Sequence, residues 1–264
     1  MRQEGKGSSM SSRALFDIDA YLIKLKHYDL VVSGLDQANV NPEDIARLRI
    51  HSANMIDNET RDGVDTYLLS KGEVTVSHFL QDKHYIPRLL ISAGIFLAVY
   101  LFMSLVVRDP IPMLDELIIA GLLSVLSFLG LSKRDVRLAR ESKLLYDLRK
   151  EISGAEVIQE EWIEKMEEYI YELSSKYSIL EISDILSRTD TVEKLPETDI
   201  SLPPDFVLKM KYYLKKENRN LAYFLKLVKE CRSRDEKLSA RLVRSASNES
   251  LDLYLLAFLL KAGL

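Results

Sequence analysis

Asp115 and Glu116 stand side by side where an uncharged apolar stretch begins, and no other pair in the 264-residue chain is better placed to do chemistry. At a helix start, carboxylates are favoured by the exposed N–H groups and the helix dipole, which accounts for the pair if it lies at headgroup level. The sharper expectation is a ring of acidic side chains at the mouth of an oligomeric cation pore, with Asp115 and Glu116 as its entrance.

A second candidate set is basic. Lys209, Lys211, Lys215, Lys216 and Arg219 belong to a segment running to Arg244, in which Tyr212, Tyr213, Tyr223 and Phe224 are interleaved with charge. An ordinary solvated face accounts for it. Two alternatives stand: contact with anionic lipid headgroups, each nearby cation contributing about 1 kcal/mol, or with an acidic segment from Glu156 to Glu172. Nucleic acid is not an expected partner, because no recognition motif accompanies the charge and the chain carries a net charge of -4.

Other chemistry is sparse. His27, His51, His78 and His84 never approach one another or a cysteine at ligand spacing, so no metal is expected. There is no Gly-rich phosphate loop, no G-x-S-x-G and no H-E-x-x-H. Cys231 is the only cysteine, which excludes an intramolecular disulfide and fits a reducing compartment. The chain reads as non-enzymatic and without a cofactor. Two-span channels with acidic residues opening the second span include the calcium uniporter, but its Trp-Asp-Ile-Met-Glu signature is absent here.

The elements that position the acidic pair are apolar. From Leu89 to Val107 the chain runs LLISAGIFLAVYLFMSLVV without a charge, and LIIAGLLSVLSFLGL follows from Leu117 to Leu131. About 20 such residues cross a hydrocarbon core, so the second run reaches spanning length only if the preceding PIPML is included. Pro110 and Pro112 cannot extend the first helix, so the chain must reverse between the two. Lys83 and Arg88 precede the pair, and Lys133, Arg134, Arg137, Arg140 and Lys143 follow it. The reversal holds Arg108 against Asp109, Asp115 and Glu116. Basic residues mark the cytoplasmic side, which predicts a two-span integral membrane protein with both termini cytoplasmic. Within the bilayer, small side chains permit close helix packing: Gly94 and Ala98 on the first span, Gly121, Ser124 and Ser127 on the second. They pack either the hairpin against itself or one copy against another.

The flanks read as helical. Residues 1–14 form an expected disordered tail, and residues 15–85 an N-terminal cytoplasmic region in which Leu15, Ile18, Leu22 and Leu25 recur at helical steps. Asn41 and Pro42 mark another helix start. The hairpin occupies residues 86–131, a helical stalk 132–188, a proline-bearing linker 189–204 and a small helical bundle 205–264. Leu138, Leu145 and Ile152 suggest a short coiled-coil contact. Seven prolines and ten glycines are few for a many-turned β fold, so the expected fold class is all-α. The resulting expectation is a membrane anchor or scaffold whose cytoplasmic helical regions bind a protein partner or form a homo-oligomer. The alternative is an oligomeric ion channel or membrane-disrupting effector that uses the acidic entrance.

Overall fold

The computed structural model describes residues 15–26, 28–35, 37, 40–107, 113–186, 195–217 and 252–262. The chain divides into two compact units. One comprises Met1–Phe16, Ala38–Ala46 and Leu69–Ser153, the other Asp17–Gln37, Arg47–Leu68 and Gly154–Leu264. The N-terminal tail and the candidate helices between residues 218 and 251 lie outside the described residues.

The second unit is built on a four-stranded sheet in the order β2-β1-β3-β4, with β1 at Phe16–Lys24, β2 at Asp29–Ser33, β3 at Ile45–Ser52 and β4 at Glu156–Gln159. The all-α expectation is thereby overturned. β1 and β2 form an antiparallel pair in which Ala20 faces Ser33 and Ile23 faces Leu30, whereas β3 and β4 run parallel, with Arg49 opposite Glu156 and Ser52 opposite Gln159. The physical reason for the misreading lies in β1. Residues 20–23 are buried on both faces of the sheet, which removes the two-residue alternation of a half-exposed strand and leaves apolar positions that also fit a helix. The helix expected after Asn41 is a single 3₁₀ turn, Pro42–Asp44. Asn41 does cap it, its Oδ1 accepting from the Glu43 N–H at 3.0 Å. β3 then follows directly, with Leu48, Ile50 and Ser52 buried in alternation.

One sheet face contributes Tyr21, Ile23, Leu30 and Val32 to the main core. Helices α5 (Glu161–Lys176), α6 (Ile179–Leu186), α7 (Pro204–Glu217) and α8 (Leu253–Lys261) supply its other wall. α5 buries the stripe Met166, Ile170 and Leu173, and α8 is buried from Leu253 to Leu260. Asp252 starts α8 by accepting from the Tyr254 and Leu255 N–H groups, which satisfies two of the donors a helix start leaves open. The opposite sheet face buries Ala20, Leu22, Val31 and Ile50.

Between the parallel neighbours β3 and β4 lies a long crossover of four helices: α1 (Asn58–Lys83), α2 (Tyr85–Phe102), α3 (Met113–Arg140) and α4 (Lys143–Ser153). Asp57 caps α1, accepting from the Thr60 N–H at 2.7 Å. α1 starts at Asn58 and passes through Gly63 unbroken. It stops at Lys83 because Pro87 has no N–H to bond a carbonyl one turn earlier, and α2 resumes after His84. A π-helical turn, Met103–Val107, closes α2. The helix predicted beyond the second apolar run is present, but it breaks at Ser142, whose Oγ accepts from the Leu145 N–H at 3.2 Å and starts α4.

Candidate functional site

Two constellations carry the polar and apolar features that set this chain apart. In the first unit, the helical stretches Tyr85–Leu105 and Glu116–Ser153 are long and apolar enough to cross a membrane. Only 11% and 6% of their most apolar windows are buried. A core helix of a water-soluble domain would be mostly covered. Here Leu89, Leu90, Leu97, Phe102, Leu122, Val125 and Leu126 are all exposed.

α2 and α3 pack side by side. Ala120 is buried against α2, with Gly121, Ser124 and Ser127 half-buried beside it, and Ser124 Oγ donates to the Ser92 carbonyl at 2.8 Å. Gly94 and Ala98 sit elsewhere on α2 and are exposed, and no atom lies within 4 Å of a Cβ built at Gly94. The packing face of α2 uses Ser92 together with the half-buried Ile95, Phe96 and Val99. At the N-terminal end of α3, Glu116 is half-buried in its first turns, while Arg108 to Pro112 and the Asp115 side chain lie outside the described structure.

At the other end of the helix pair, Arg88 and Asp135 are both buried and approach to 3.4 Å. Arg88 also donates to the carbonyls of Gln81 and His84. Its guanidinium lies 5.3 Å from the centre of the Phe128 ring. His84 Nδ1 is 3.4 Å from Asp135. One of the basic residues used to orient the spans is therefore held in an interhelical charge pair.

The second constellation is on the sheet. Alternation places Asp17, Asp19 and Tyr21 on one face of β1 and Arg49 and His51 on β3. Arg49 Nε donates to Asp19 Oδ1 at 2.7 Å, and His51 Nε2 lies 3.1 Å from the same oxygen. His51 Nδ1 is 2.9 Å from Glu160 Oε1, so both ring nitrogens face carboxylates. An imidazole with one N–H donates to one of these, and the doubly protonated ring donates to both. The Tyr21 ring stacks on His51 with centroids 5.0 Å apart, and its hydroxyl donates to Asp205 at 2.8 Å. Burial and this carboxylate acceptor push the Tyr21 phenol far up, which keeps it a donor. Burial opposes ionisation of Asp19, but the hydrogen bonds from Arg49 and His51 and the charge of Lys209 outweigh it. Its carboxyl therefore lies below the ordinary aspartate value.

Lys209, a candidate lipid contact from the sequence, belongs to this lattice. Its ammonium pairs with Asp205 one turn away on α7 and lies 5.5 Å from the Tyr21 ring centre, with its side chain only 10% exposed. Lys211 is exposed; the side chains of Lys215 and Lys216, and Arg219, lie outside the described residues. The lattice residues Asp19, Arg49, His51 and Glu160 escaped sequence reasoning. Their signal was present in the alternations Asp17-Ile18-Asp19 and Arg47-Leu48-Arg49-Ile50-His51. With every polar arm of His51 engaged, the arrangement is suited to fixing β1, β3 and the α5 start against one another. A free general base would need an unoccupied nitrogen.

Comparison with protein-family models, with curated proteins and with solved structures finds no match for this chain.

Proposed function

We propose that this protein is a non-enzymatic membrane anchor or scaffold in which a two-span hairpin is inserted into the crossover of an α/β domain. That domain lies on the cytoplasmic side, where it binds a partner. The observation that carries this reading is one of connectivity. Ser52 and Gln159 are neighbours in one sheet, yet the chain between them contains both exposed apolar helices. Strands of one sheet lie on one side of a membrane, so any crossings between them must be even in number. If α2 spans, α3 must return. This supports treating the shorter apolar run of α3 as a full span. Basic residues at the inner ends, Lys83 before α2 and Lys133, Arg134 and Arg137 after the apolar part of α3, support the cytoplasmic orientation.

Alkaline extraction of membranes tests insertion: the protein is expected to stay in the pellet, and release into the supernatant would refute the hairpin. A reporter fused after Leu264 that is active only outside the cytoplasm is expected to be silent. The mass of the purified protein in detergent then separates anchor from channel. A closed ring whose conductance is lost in Asp115→Asn would replace the anchor reading.

A further inference from the structure

A cleft of about 440 Å³ opens in the sheet-bearing unit, between the β1–β2 turn, the first turns of α1 and the middle of α7. That volume falls within the range of small-molecule sites. Its walls carry three tyrosines from three separate elements, Tyr28, Tyr67 and Tyr213, and two carboxylates, Asp29 and Glu59. Among the described residues that line it, none is Lys or Arg. The start of α1 is not an anion site here, because Asp57 already occupies the Thr60 N–H. Burial, and after it the charge of Asp252, pushes the Tyr28 phenol up to about 12, so its ring remains neutral at physiological pH.

Gly63 faces this space from the interior of α1. A glycine there weakens a helix relative to alanine, and a Cβ built on it meets nothing within 4 Å. Packing within the protein therefore does not require the glycine. Its absent side chain keeps the cleft wide.

We propose that this cleft binds a small organic cation bearing an ammonium group, held over the tyrosine faces and neutralised by Asp29 and Glu59. The faces of aromatic rings attract cations, and two carboxylates at the rim repel anionic competitors and draw ammonium groups in. The site belongs to the sheet domain and stands apart from the membrane reading, so failure of either leaves the other intact.

The test is calorimetric titration of the full-length protein in maltoside detergent, free of choline lipids. The probes are choline and its uncharged isostere 3,3-dimethylbutan-1-ol. Choline is expected to bind in the millimolar range or tighter, at least about tenfold more strongly than the isostere, because the shape is shared and only the charge differs. Glu59→Gln, at an exposed position, is expected to weaken choline several-fold and to reduce its salt dependence. Gly63→Leu intrudes on the cleft and is expected to weaken choline binding several-fold while the protein still unfolds cooperatively. Absence of choline binding, equal binding of the isostere, or undiminished binding in both variants would overturn the proposal.

Discussion

Replacing Asp135 by leucine should destabilise the helix pair by stranding the buried Arg88 charge. Arg88 and Asp135 have side chains 7% and 11% exposed. Removing one partner of such a pair strands the other charge, at a cost of about 3–5 kcal/mol in general. Two features lower that figure here. The Arg88–Asp135 separation of 3.4 Å is long for a charge-assisted hydrogen bond, and Arg88 keeps its carbonyl acceptors on Gln81 and His84 and its place over Phe128. About 2–3 kcal/mol is the expected cost, and at about 2–4 °C per kcal/mol for a chain of this size the midpoint should fall by about 4–12 °C. Circular dichroism during heating in a fixed detergent reads it, at one protein concentration and low salt. Arg134→Leu, an exposed charge on the same helix, serves as control and should change stability by less than about 0.5 kcal/mol. The double variant Arg88→Leu/Asp135→Leu should recover at least half of the loss, since no buried charge is then unpaired. An Asp135→Leu midpoint indistinguishable from that of Arg134→Leu, or a double variant that loses the sum of both singles, would refute the reasoning.

The lattice on the sheet predicts a pH dependence. The Asp19 carboxyl lies below its ordinary value in the folded protein, so its contribution is present above about pH 4, where the unfolded carboxyl is also ionised, and is lost as pH falls through the folded value. Melting from pH 6 down to about pH 3 should therefore fall more steeply in the wild type than in Asp19→Asn; parallel curves would count against the contact. Gly63→Ala should raise the melting midpoint, by about 0.5–1 kcal/mol of helix stability, because nothing opposes the new methyl; a lowered midpoint would show the space to be filled. Deleting the apolar part of α3 alone, Leu117 to Leu131, leaves an odd number of crossings and should prevent β4 from joining β3, read as loss of protease resistance in the sheet domain. Retained resistance would mean that the chain does not cross twice.

The two apolar helices were legible because their signals are local: long uncharged runs and prolines that cannot continue a helix. The sheet was not. β1 hides its period because residues 20–23 are covered on both faces, and β4 is too short, at four residues, to carry a pattern of its own. Asn41 and Pro42 gave a correct capping signal, but the turn they start lasts three residues, since the following segment alternates in burial as a strand does. Of the three heptad-spaced positions, Leu145 and Ile152 are buried on α4, whereas Leu138 on α3 remains exposed. The Asp19–His51–Glu160 contacts join residues far apart in sequence, and only strand pairing brings them together. Lys209 illustrates the converse. Its charge was plain in the sequence, but its partners Asp205 and Tyr21 turn it inward.

The insertion of a two-span hairpin between β3 and β4 is tested most directly by the sidedness of three cysteines. In a Cys231→Ser background, single cysteines replace the exposed Met55 and Tyr146, which lie before and after the two apolar helices, and Pro112 in the reversal. Sealed vesicles of one orientation are then treated with a membrane-impermeant maleimide from each side. The account predicts that positions 55 and 146 label from the same side and position 112 only from the other. Labelling of 55 and 146 from opposite sides, or of all three from one side, would contradict it.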